Sequence, residues 1–355
     1  MVKFKYSRKL LAISIAIIMG AFIGGCSHES NNESGTVIKI SVSDAEDLSK
    51  AAKEISVLKL TDSLGEHFPG DMSKVVYFGD SMIVLDTWKD PGVYVYDGEG
   101  MLVRAYTKRG NGPEEFDNIV DMWVTPTAVS LLVNFPNSQI INLDRNLNFV
   151  NKTVAQPQSQ HFALGGDGAF FDRGNNAYGG NSDKLIYISS TGKKEDKLSI
   201  SPEIENITFT SPSVFARMGG DTVVYLPPLE PLLYFCVGDE TELACQLDFG
   251  SAWPEFSVRT DRVNLMDLMQ KIVGDGKIYS TNLVADGNDI AVTFFKDDDY
   301  YIALIDKNDM SSPRLFRLST EIHDDIGDLV AIRYGDLVFG VPGQLLTVSL
   351  KTIQK

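Results

Sequence analysis

Residues 75–86 read VVYFGDSMIVLD, which is two apolar runs joined by a Gly-Asp pair. Gly and Asp tolerate the positive φ angles that tight hairpin turns require, so this stretch predicts two antiparallel β-strands. The arrangement recurs along the chain, with a weaker copy, IVDMWVTPTAVSLLV, over residues 119–133. The remaining copies begin at Phe162, Val214, Leu283 and Leu329. The chain therefore contains a degenerate internal repeat, and this repeat determines the predicted fold.

A second hairpin follows each copy. From residue 93 the chain reads VYVYD, turns through DGEG and returns as LVRAYTK. Equivalent strands begin at Val93, Ser138, Lys184, Leu232, Tyr300 and Leu345. Four strands per unit, in six units mostly spaced by roughly 45–55 residues, are typical of a β-propeller. The sequence thus predicts an all-β domain, a six-bladed β-propeller over residues 37–355.

The last unit is one strand short. It begins near Asp328, and the chain stops at Lys355, which leaves room for three strands. The segment EISVLKLTD, from Glu54, precedes the first repeat and reads as a spare strand. A propeller avoids open sheet edges by joining its two ends. We therefore expect this N-terminal strand to complete the sixth blade.

One segment between the fourth and fifth units has a different period. In NLMDLMQKIVGDG, residues 264–276, apolar side chains at Leu265, Leu268, Met269 and Ile272 fall on one face of a helix. Gly274 is placed to end it. The sequence predicts a short helical insertion here. It either packs on the propeller or presents a methionine-rich lid or partner surface.

The N-terminus indicates export. Four basic residues precede the apolar run LLAISIAIIMGAFIGG, and Ile23-Gly24-Gly25-Cys26 forms a lipobox. The apolar run is shorter than the ~18–20 residues that span a bilayer, which favours a lipoprotein signal peptide over residues 1–25, with an uncleaved anchor as the alternative. Lipidation is expected at Cys26. Residues 26–36 are polar and read as a flexible tether.

Charge and cysteine content exclude some functions. The formal net charge is −16, and it becomes −20 once residues 1–25, with four basic residues and no acidic one, are removed. A protein with this much negative charge repels nucleic acid. No nucleic-acid partner is therefore expected. Cys236 and Cys245 form either a disulfide or two buried thiols on neighbouring strands. The histidines are scattered and do not indicate a zinc site.

The loop RGNGPEEF, residues 109–116, joins the first unit to the second. Phosphate-binding loops need a helix behind their glycines, but a strand, IVDMWV, follows here. The acidic residues do not have calcium-loop spacing. An echo, FGSAWPEF, occupies residues 249–256 after another outer strand. We interpret both as structural crossovers in which Phe packs between blades, the alternative being ligand contact by Arg109 or Glu115.

A family resemblance rests on three features: the lipobox, the phrase GNGPEEF and the phrase PLLYFCVGDETELACQLDFG over residues 231–250. Together they resemble the six-bladed β-propeller lipoproteins of Bacteroidota, which are TolB-like and related in architecture to NHL-repeat proteins. The resemblance spans roughly residues 37–350. It implies a lipid-anchored protein of the cell envelope, expected at the outer membrane on its periplasmic face or at the cell surface. It implies no catalytic residue.

Candidate ligand-binding residues come from the loops that should share one face of the propeller. Flat aromatic side chains beside Asn, Arg and Asp suit sugars or peptides, through stacking and directed hydrogen bonds. On this face we expect Trp88, Lys89, Arg109, Phe135, Arg173, Asn175 and Tyr178. Arg217 and Arg333 lie on inner strands, where they could enter the channel and bind an anion or neutralise nearby carboxylates.

Three functions remain open from the sequence. The favoured one is a non-catalytic binding module for a peptide, glycan or protein partner, since no catalytic constellation is evident. The second is a propeller enzyme resembling lactonases, lyases or sugar dehydrogenases. It would use calcium bound through Asp121, Asp172 or Asp221, although no cofactor is predicted outright. The third is a TolB-like assembly component of the envelope.

Overall fold

The computed structural model describes residues 35–62, 69–134, 138–154, 158–177, 182–209, 211–258, 264–318 and 327–351. Their strands form six sheets, each with four antiparallel strands, which confirms the six-bladed β-propeller. The N-terminal elements are β1 (Thr36–Lys39), β2 (Glu46–Asp47), α1 (Leu48–Ala51) and β3 (Ala52–Lys59). The blades then follow in chain order.

The strand bounds are as follows, from the inner to the outer strand of each blade. Blade 1 comprises β4 (Lys74–Phe78), β5 (Ser81–Asp86), β6 (Gly92–Tyr96) and β7 (Leu102–Tyr106). Blade 2 comprises β8 (Ile119–Val124), β9 (Ala128–Val133), β10 (Gln139–Asp144) and β11 (Phe149–Val154). Blade 3 comprises β12 (His161–Gly165), β13 (Gly168–Asp172), β14 (Asp183–Ile188) and β15 (Lys194–Ser199).

The remaining blades carry the N-terminal strands. Blade 4 comprises β16 (Phe215–Arg217), β17 (Thr222–Tyr225), β18 (Leu232–Val237) and β19 (Glu240–Asp248). After α2 (Leu265–Gly274), blade 5 comprises β20 (Tyr279–Asp286), β21 (Asp289–Lys296), β22 (Asp299–Asp306) and β23 (Asp309–Arg317). Blade 6 comprises β24 (Leu329–Arg333), β25 (Asp336–Val341) and β26 (Gln344–Leu350), with β3 as its outer strand.

Ring closure occurs as predicted. Strand β3 pairs antiparallel with β26, so that Leu58 lies opposite Leu345 and Ile55 opposite Val348. Two further strands were not predicted: β1 adds in parallel to β19, and β2 adds in parallel to β23. Strand β1 is held by burial of Ile38. Its four residues are too few to show a hydrophobic period, which is why sequence patterning overlooked it.

The core lies between neighbouring blades. Strands β5 and β6 are buried at nearly every position, because both faces of each sheet are covered. Between blades 3 and 4, for example, Phe162 and Phe170 share one apolar cluster with Phe215 and Tyr225. The rings of Phe215 and Tyr225 stack with centroids 4.8 Å apart. Burial on both faces explains why the strands alternate only partly in sequence.

The predicted helix is present as α2. The Asn264 side chain caps it by accepting a hydrogen bond from the backbone N–H of Met266 at 3.1 Å. Leu268 and Ile272 pack into a cluster with isoleucines from residues 200–207. The helix ends at Gly274 as expected, but the positive φ of +62° occurs at Gly276 instead. Gly276 therefore supplies the conformational freedom assigned to Gly274.

The two cysteines of blade 4 are free thiols, and both are buried. Cys236 lies opposite Thr241 and Cys245 opposite Leu233, so the cysteines are not cross-strand neighbours. Burial raises the pKa of Cys236 to about 11 and that of Cys245 to about 12. Of the two alternatives from the sequence, the structure has the buried thiols. Within the described ranges, no helix has the length and hydropathy needed to cross a membrane.

Candidate functional site

A cavity of about 460 Å³ occupies the central channel. The inner strands of blades 1, 2, 4, 5 and 6 line it, namely β4, β8, β16, β20 and β24. Each inner strand is the last in its sheet, so one edge of its backbone has no neighbouring strand and faces the channel. The wall therefore offers backbone N–H and C=O groups as well as side chains, which is the usual chemistry of a ligand pocket.

One end of this cavity is formed where the inner strands meet their hairpin turns. Tyr77, Phe78, Arg217, Arg333 and Tyr334 line it there, and we call these five residues the hairpin mouth. Tyr334 is 83% exposed and Phe78 is 40% exposed, an unusual degree for large apolar rings. The structure thus brings Arg217 and Arg333 into the cavity wall, together with three aromatic residues.

Arg333 joins blade 6 to blade 1 at this mouth. Its guanidinium lies 4.5 Å from the ring centroid of Tyr77 and 5.5 Å from that of Tyr334. Its Nη2 donates to the Gly79 carbonyl at 3.3 Å and lies 3.7 Å from the Asp80 carboxylate. Burial raises the pKa of Tyr77, and the nearby Arg333 opposes that rise. The Arg333 guanidinium therefore contacts two aromatic rings, and its side chain is 30% exposed.

The arginines retain hydrogen-bonding capacity. Arg145 stacks on Phe78 at 3.3 Å from the ring centroid. The Nε atoms of Arg145 and Arg333 are buried and have no hydrogen-bond partner among the described residues. Arg217 is exposed, and its Nη2 donates to the Gly220 carbonyl at 3.4 Å. Guanidinium donors beside open aromatic faces suit a ligand with both oxygen acceptors and a flat apolar surface.

Trp88 and Lys89 lie on the loop that follows β5, at the opposite end of the blades. The buried carboxylate of Asp86 holds this loop by accepting four backbone N–H bonds. Its Oδ2 accepts from Gly70 and Asp71 at 3.1 and 3.0 Å, and its Oδ1 accepts from Trp88 and Lys89 at 2.9 Å each. Trp88 is 83% exposed, outside the lining of the channel cavity. Asp86 thus fixes the backbone of this loop, but the Trp88 side chain does not line the channel cavity.

The crossover loop at residues 109–116 packs as a structural junction. Phe116 is buried in the cluster between blades 1 and 2, where it stacks on Tyr106 at 6.0 Å. The hydroxyl of Tyr106 donates to the Glu114 carbonyl, and the backbone N–H of Gly112 donates to Glu115 Oε2 at 2.8 Å. Arg109 is exposed and lies outside the channel cavity.

The remaining predicted residues are buried or outside the described ranges. Arg173 lies 4.0 Å from the Asp183 carboxylate, and Asn175 Nδ2 donates to the Pro228 carbonyl at 3.4 Å. Both side chains point into the protein, although the sequence predicted an exposed loop face. Asn175 lines a second, much smaller cavity beside blade 4. Phe135, Tyr178 and the lipidation residue Cys26 lie outside the described residues.

A buried ionic network crosses from blade 1 to blade 3. Lys74 Nζ donates to Asp121 Oδ1 at 2.8 Å and to the Met122 carbonyl at 3.0 Å. The other carboxylate oxygen, Oδ2, accepts from the backbone N–H of Phe162 at 3.1 Å and lies 3.6 Å from His161 Nδ1. Burial alone would raise the pKa of Asp121, but Lys74 and His161 outweigh it and hold this pKa at about 2. Asp121 is therefore an ionised structural carboxylate.

A second set of polar contacts joins blades 3 and 4. Tyr225 donates its hydroxyl to Asp172 Oδ1 at 2.6 Å, and Lys184 pairs with Glu230 at 2.8 Å. Burial raises the pKa of Asp172, an effect that His161 and Tyr225 oppose. Burial lowers the pKa of Lys184, and Glu230 counteracts it.

Calcium binding gains no geometric support from the three predicted carboxylates. Asp121 and Asp172 have the partners described above, and Asp221 is exposed in a hairpin turn. In the part of the chain that the structure describes, no group of three or more His, Cys, Asp or Glu side chains is arranged to hold a metal ion. Calcium binding stays a prediction.

Three residues of the hairpin mouth were missed from the sequence: Tyr77, Phe78 and Tyr334. Tyr77 and Phe78 are the last two residues of β4, and Tyr334 immediately follows β24, each just before a Gly-Asp turn, as in VVYFGD and AIRYGD. Aromatic residues in a strand pattern read as core, so their exposure was not foreseen. The available signal was their position beside the turn, where a propeller strand leaves its packed neighbours.

Comparison with known proteins identifies the family. The chain matches the DUF5128 family, a 6-bladed beta-propeller family, over residues 26–324, and it belongs to that family. No curated protein sequence matches it significantly. Among solved structures, an inferred exported protein of Bacteroides fragilis is 15% identical, with a TM-score of 0.68 over 89% of this chain and 100% of that one.

A second solved structure is also similar. A member of the duf4221 family from Bacteroides vulgatus is 8% identical, with a TM-score of 0.57 over 84% of this chain and 97% of that one. At such low identities both likenesses show a shared fold.

Proposed function

We propose that this chain is an exported, lipid-anchored propeller of the cell envelope. It binds a peptide, glycan or protein partner at the hairpin mouth without catalysing a reaction. The single observation that carries the binding proposal is the cavity of about 460 Å³ whose wall combines Arg217 and Arg333 with Tyr77, Phe78 and Tyr334. Exposed aromatic rings at a pocket entrance are costly in water unless a ligand covers them.

Anchoring is supported by the N-terminal sequence. Basic residues, a short apolar run and the lipobox precede Cys26, and the family match begins at residue 26. A protein of the same fold from Bacteroides fragilis is described as exported, which agrees with a location outside the cytoplasm. Stable attachment requires more than one acyl chain. The outer membrane is the proposed location, on either its periplasmic face or its outer surface.

Anchoring predicts a specific labelling result. In cells fed radiolabelled palmitate, the wild-type chain should incorporate label and sediment with membranes, whereas Cys26→Ser should do neither. Cys236→Ser, which changes a buried thiol, is the matched control and should retain the label. Labelling of Cys26→Ser would contradict the lipobox assignment.

The ligand proposal fits the charge of the whole molecule. The chain is strongly acidic, so the arginines at the hairpin mouth stand out as local cationic groups. A bound ligand would compete with Asp80 for Arg333, and Asp80 is fully exposed and easily displaced. Sugars and peptides that carry a carboxylate suit this site, because the carboxylate accepts hydrogen bonds from guanidinium groups and the rest of the ligand packs on the aromatic faces.

The test is a thermal-shift assay with variants at opposite ends of the blades. The panel contains uronic-acid and neutral oligosaccharides, short peptides, calcium and EDTA. A sugar or peptide at a hundred times its Kd should stabilise the fold by about 2.7 kcal/mol. Tyr334→Ala should abolish that shift. Trp88→Ala is the matched control, because both side chains are 83% exposed and only Tyr334 lines the cavity.

Other outcomes would redirect the proposal. A shift retained by Tyr334→Ala and lost in Trp88→Ala would move the site to the loop after β5. A shift with calcium alone would favour the calcium-dependent propeller enzyme. If no compound of the panel changed the melting temperature, small-ligand binding would be contradicted. A macromolecular partner, as expected of a TolB-like assembly component, would then be favoured. A pull-down from membranes would identify that partner.

A further inference from the structure

A second cavity lies apart from the channel, between the loop after β13 and the segment that precedes β16. Its volume is about 10 Å³. A single water centre needs about 10–15 Å³ by the same kind of measure, so the space matches one small molecule. His161, Asp172, Asn175 and Ser211 line it.

These four residues share an uncommon feature. Each is more than nine-tenths buried. Each also has one polar atom without a hydrogen bond to the described residues: Asp172 Oδ2, Asn175 Oδ1, Ser211 Oγ and His161 Nδ1. His161 Nδ1 lies 3.6 Å from Asp121 Oδ2, which is beyond hydrogen-bond length but within ion-pair distance. Buried polar atoms are nearly always paired, with protein or with ordered water. Four such atoms around one cavity indicate a common partner.

The chemistry of the four atoms identifies that partner. Asp172 Oδ2 and Asn175 Oδ1 are acceptors, because the Asn175 amide nitrogen donates to the Pro228 carbonyl. The Ser211 hydroxyl can donate, and His161 Nδ1 can donate or accept according to which ring nitrogen carries the proton. A water molecule can donate its two hydrogens to the two acceptors, and its two lone pairs can accept from the two groups that donate.

A metal cation fits less well. Calcium takes about 6–8 oxygen ligands. The residues that line this cavity offer three unpartnered oxygens and one nitrogen. The fully buried Lys184 acts electrostatically on Asp172, and its charge would repel a second cation. We propose that this cavity is a binding site for one structural water molecule, which bridges Asp172 and Asn175 of blade 3 to Ser211 ahead of blade 4.

The site is covered by the segment at residues 204–209. The Thr208 hydroxyl donates to Asn176 Oδ1 at 2.8 Å, and the backbone N–H of Asn206 donates to the Asn175 carbonyl at 2.6 Å. Thr208 and Asn176 both line the cavity. These two hydrogen bonds fasten the loop after β13 to this segment, which in turn packs against α2.

The first test is a crystal structure of the protein grown in rubidium chloride. We expect density within about 2.6–3.2 Å of at least three of the four atoms, without anomalous signal at the rubidium edge. An anomalous peak, or an empty cavity, would overturn the proposal. In solution, Tm should be the same in sodium, potassium, rubidium and choline chloride at equal ionic strength, and a cation-specific rise would also overturn it.

The second test uses the sign of a stability change. If Ser211 Oγ bonds a water, Ser211→Ala should lower Tm, by about 1–3 °C for a domain of this size. If Oγ is truly unpartnered, removing it should leave Tm unchanged or raise it, which would contradict the proposal. Ser213→Ala is the matched control, because its buried hydroxyl donates to the Phe215 carbonyl at 3.0 Å.

Discussion

Asp121→Ala should lower the free energy of unfolding by about 3–5 kcal/mol, the range found when one partner of a buried ion pair is removed. The side chain of Asp121 is 5% exposed and that of Lys74 is 15% exposed, so the bond between them is largely shielded from solvent, although Lys74 also lines the channel cavity. The variant would also orphan the backbone N–H of Phe162, which donates to Asp121 Oδ2. Urea unfolding at pH 7 measures the loss directly.

Two controls separate this effect from general loss of charge. Asp80→Ala removes the fully exposed carboxylate beside Arg333 and should leave the urea midpoint almost unchanged. The double change Asp121→Leu with Lys74→Met removes both charges, and it should recover much of the loss because no buried charge is left unpaired. A small effect in Asp121→Ala, similar to that of Asp80→Ala, would show that the pair does not stabilise the fold.

The same residue predicts a pH dependence. The pKa of Asp121 is lowered from 3.8 to about 2 in the folded protein, so the folded state favours the ionised form. Its stabilisation is therefore fully present above about pH 4 and is lost as the pH falls through about 2. The stability difference between wild type and Asp121→Ala should shrink as the pH falls from about 4 to about 2. A difference that grows over that acidic range would contradict this assignment.

The ion pair illustrates what sequence patterns leave out. Lys74 directly precedes the first repeat, and nothing in the sequence singled it out, whereas Asp121 read as a possible calcium ligand. The two residues are 47 positions apart, and nothing local indicates that inner strands of blades 1 and 2 bring them together. Contacts between blades depend on the three-dimensional stagger of the sheets. Hydrophobic period and turn chemistry predict each hairpin, but they do not specify that stagger.

By contrast, features set by local chemistry were predicted well. The Gly-Asp turns follow from a pattern of 12 residues such as 75–86, and the helix α2 follows from the 13 residues 264–276. The closing strand β3 follows from the strand that the last unit lacks. Strands β1 and β2 were not predicted, because they are short and gain their stability from pairing with the outer strands of blades 4 and 5. Of the hairpin mouth, the sequence assigned Arg217 and Arg333 to inner strands. Their three aromatic neighbours fitted the pattern of buried core residues and were not singled out.

Phe116→Ala should lower the free energy of unfolding by about 3–5 kcal/mol, because it empties a ring-sized volume between two blades. Phe116 is 1% exposed and belongs to a cluster that contains Leu85 and Val93 of blade 1 and Leu131 of blade 2. The backbone of the crossover cannot collapse into the gap, since Gly110 N–H donates to the Phe116 carbonyl at 2.9 Å and Phe116 N–H donates to the Lys108 carbonyl at 3.0 Å.

Two variants test whether this loop is a junction or a ligand contact. Phe256→Ala changes the corresponding residue of the echo FGSAWPEF, which is only partly buried, so its loss of stability should be smaller than that of Phe116→Ala. Arg109→Ala changes an exposed residue of the same loop and should alter stability by less than about 0.5 kcal/mol. If Arg109→Ala instead abolished binding of a sugar or peptide that Tyr334→Ala still bound, the crossover would be a recognition loop, and the hairpin mouth would lose its assignment.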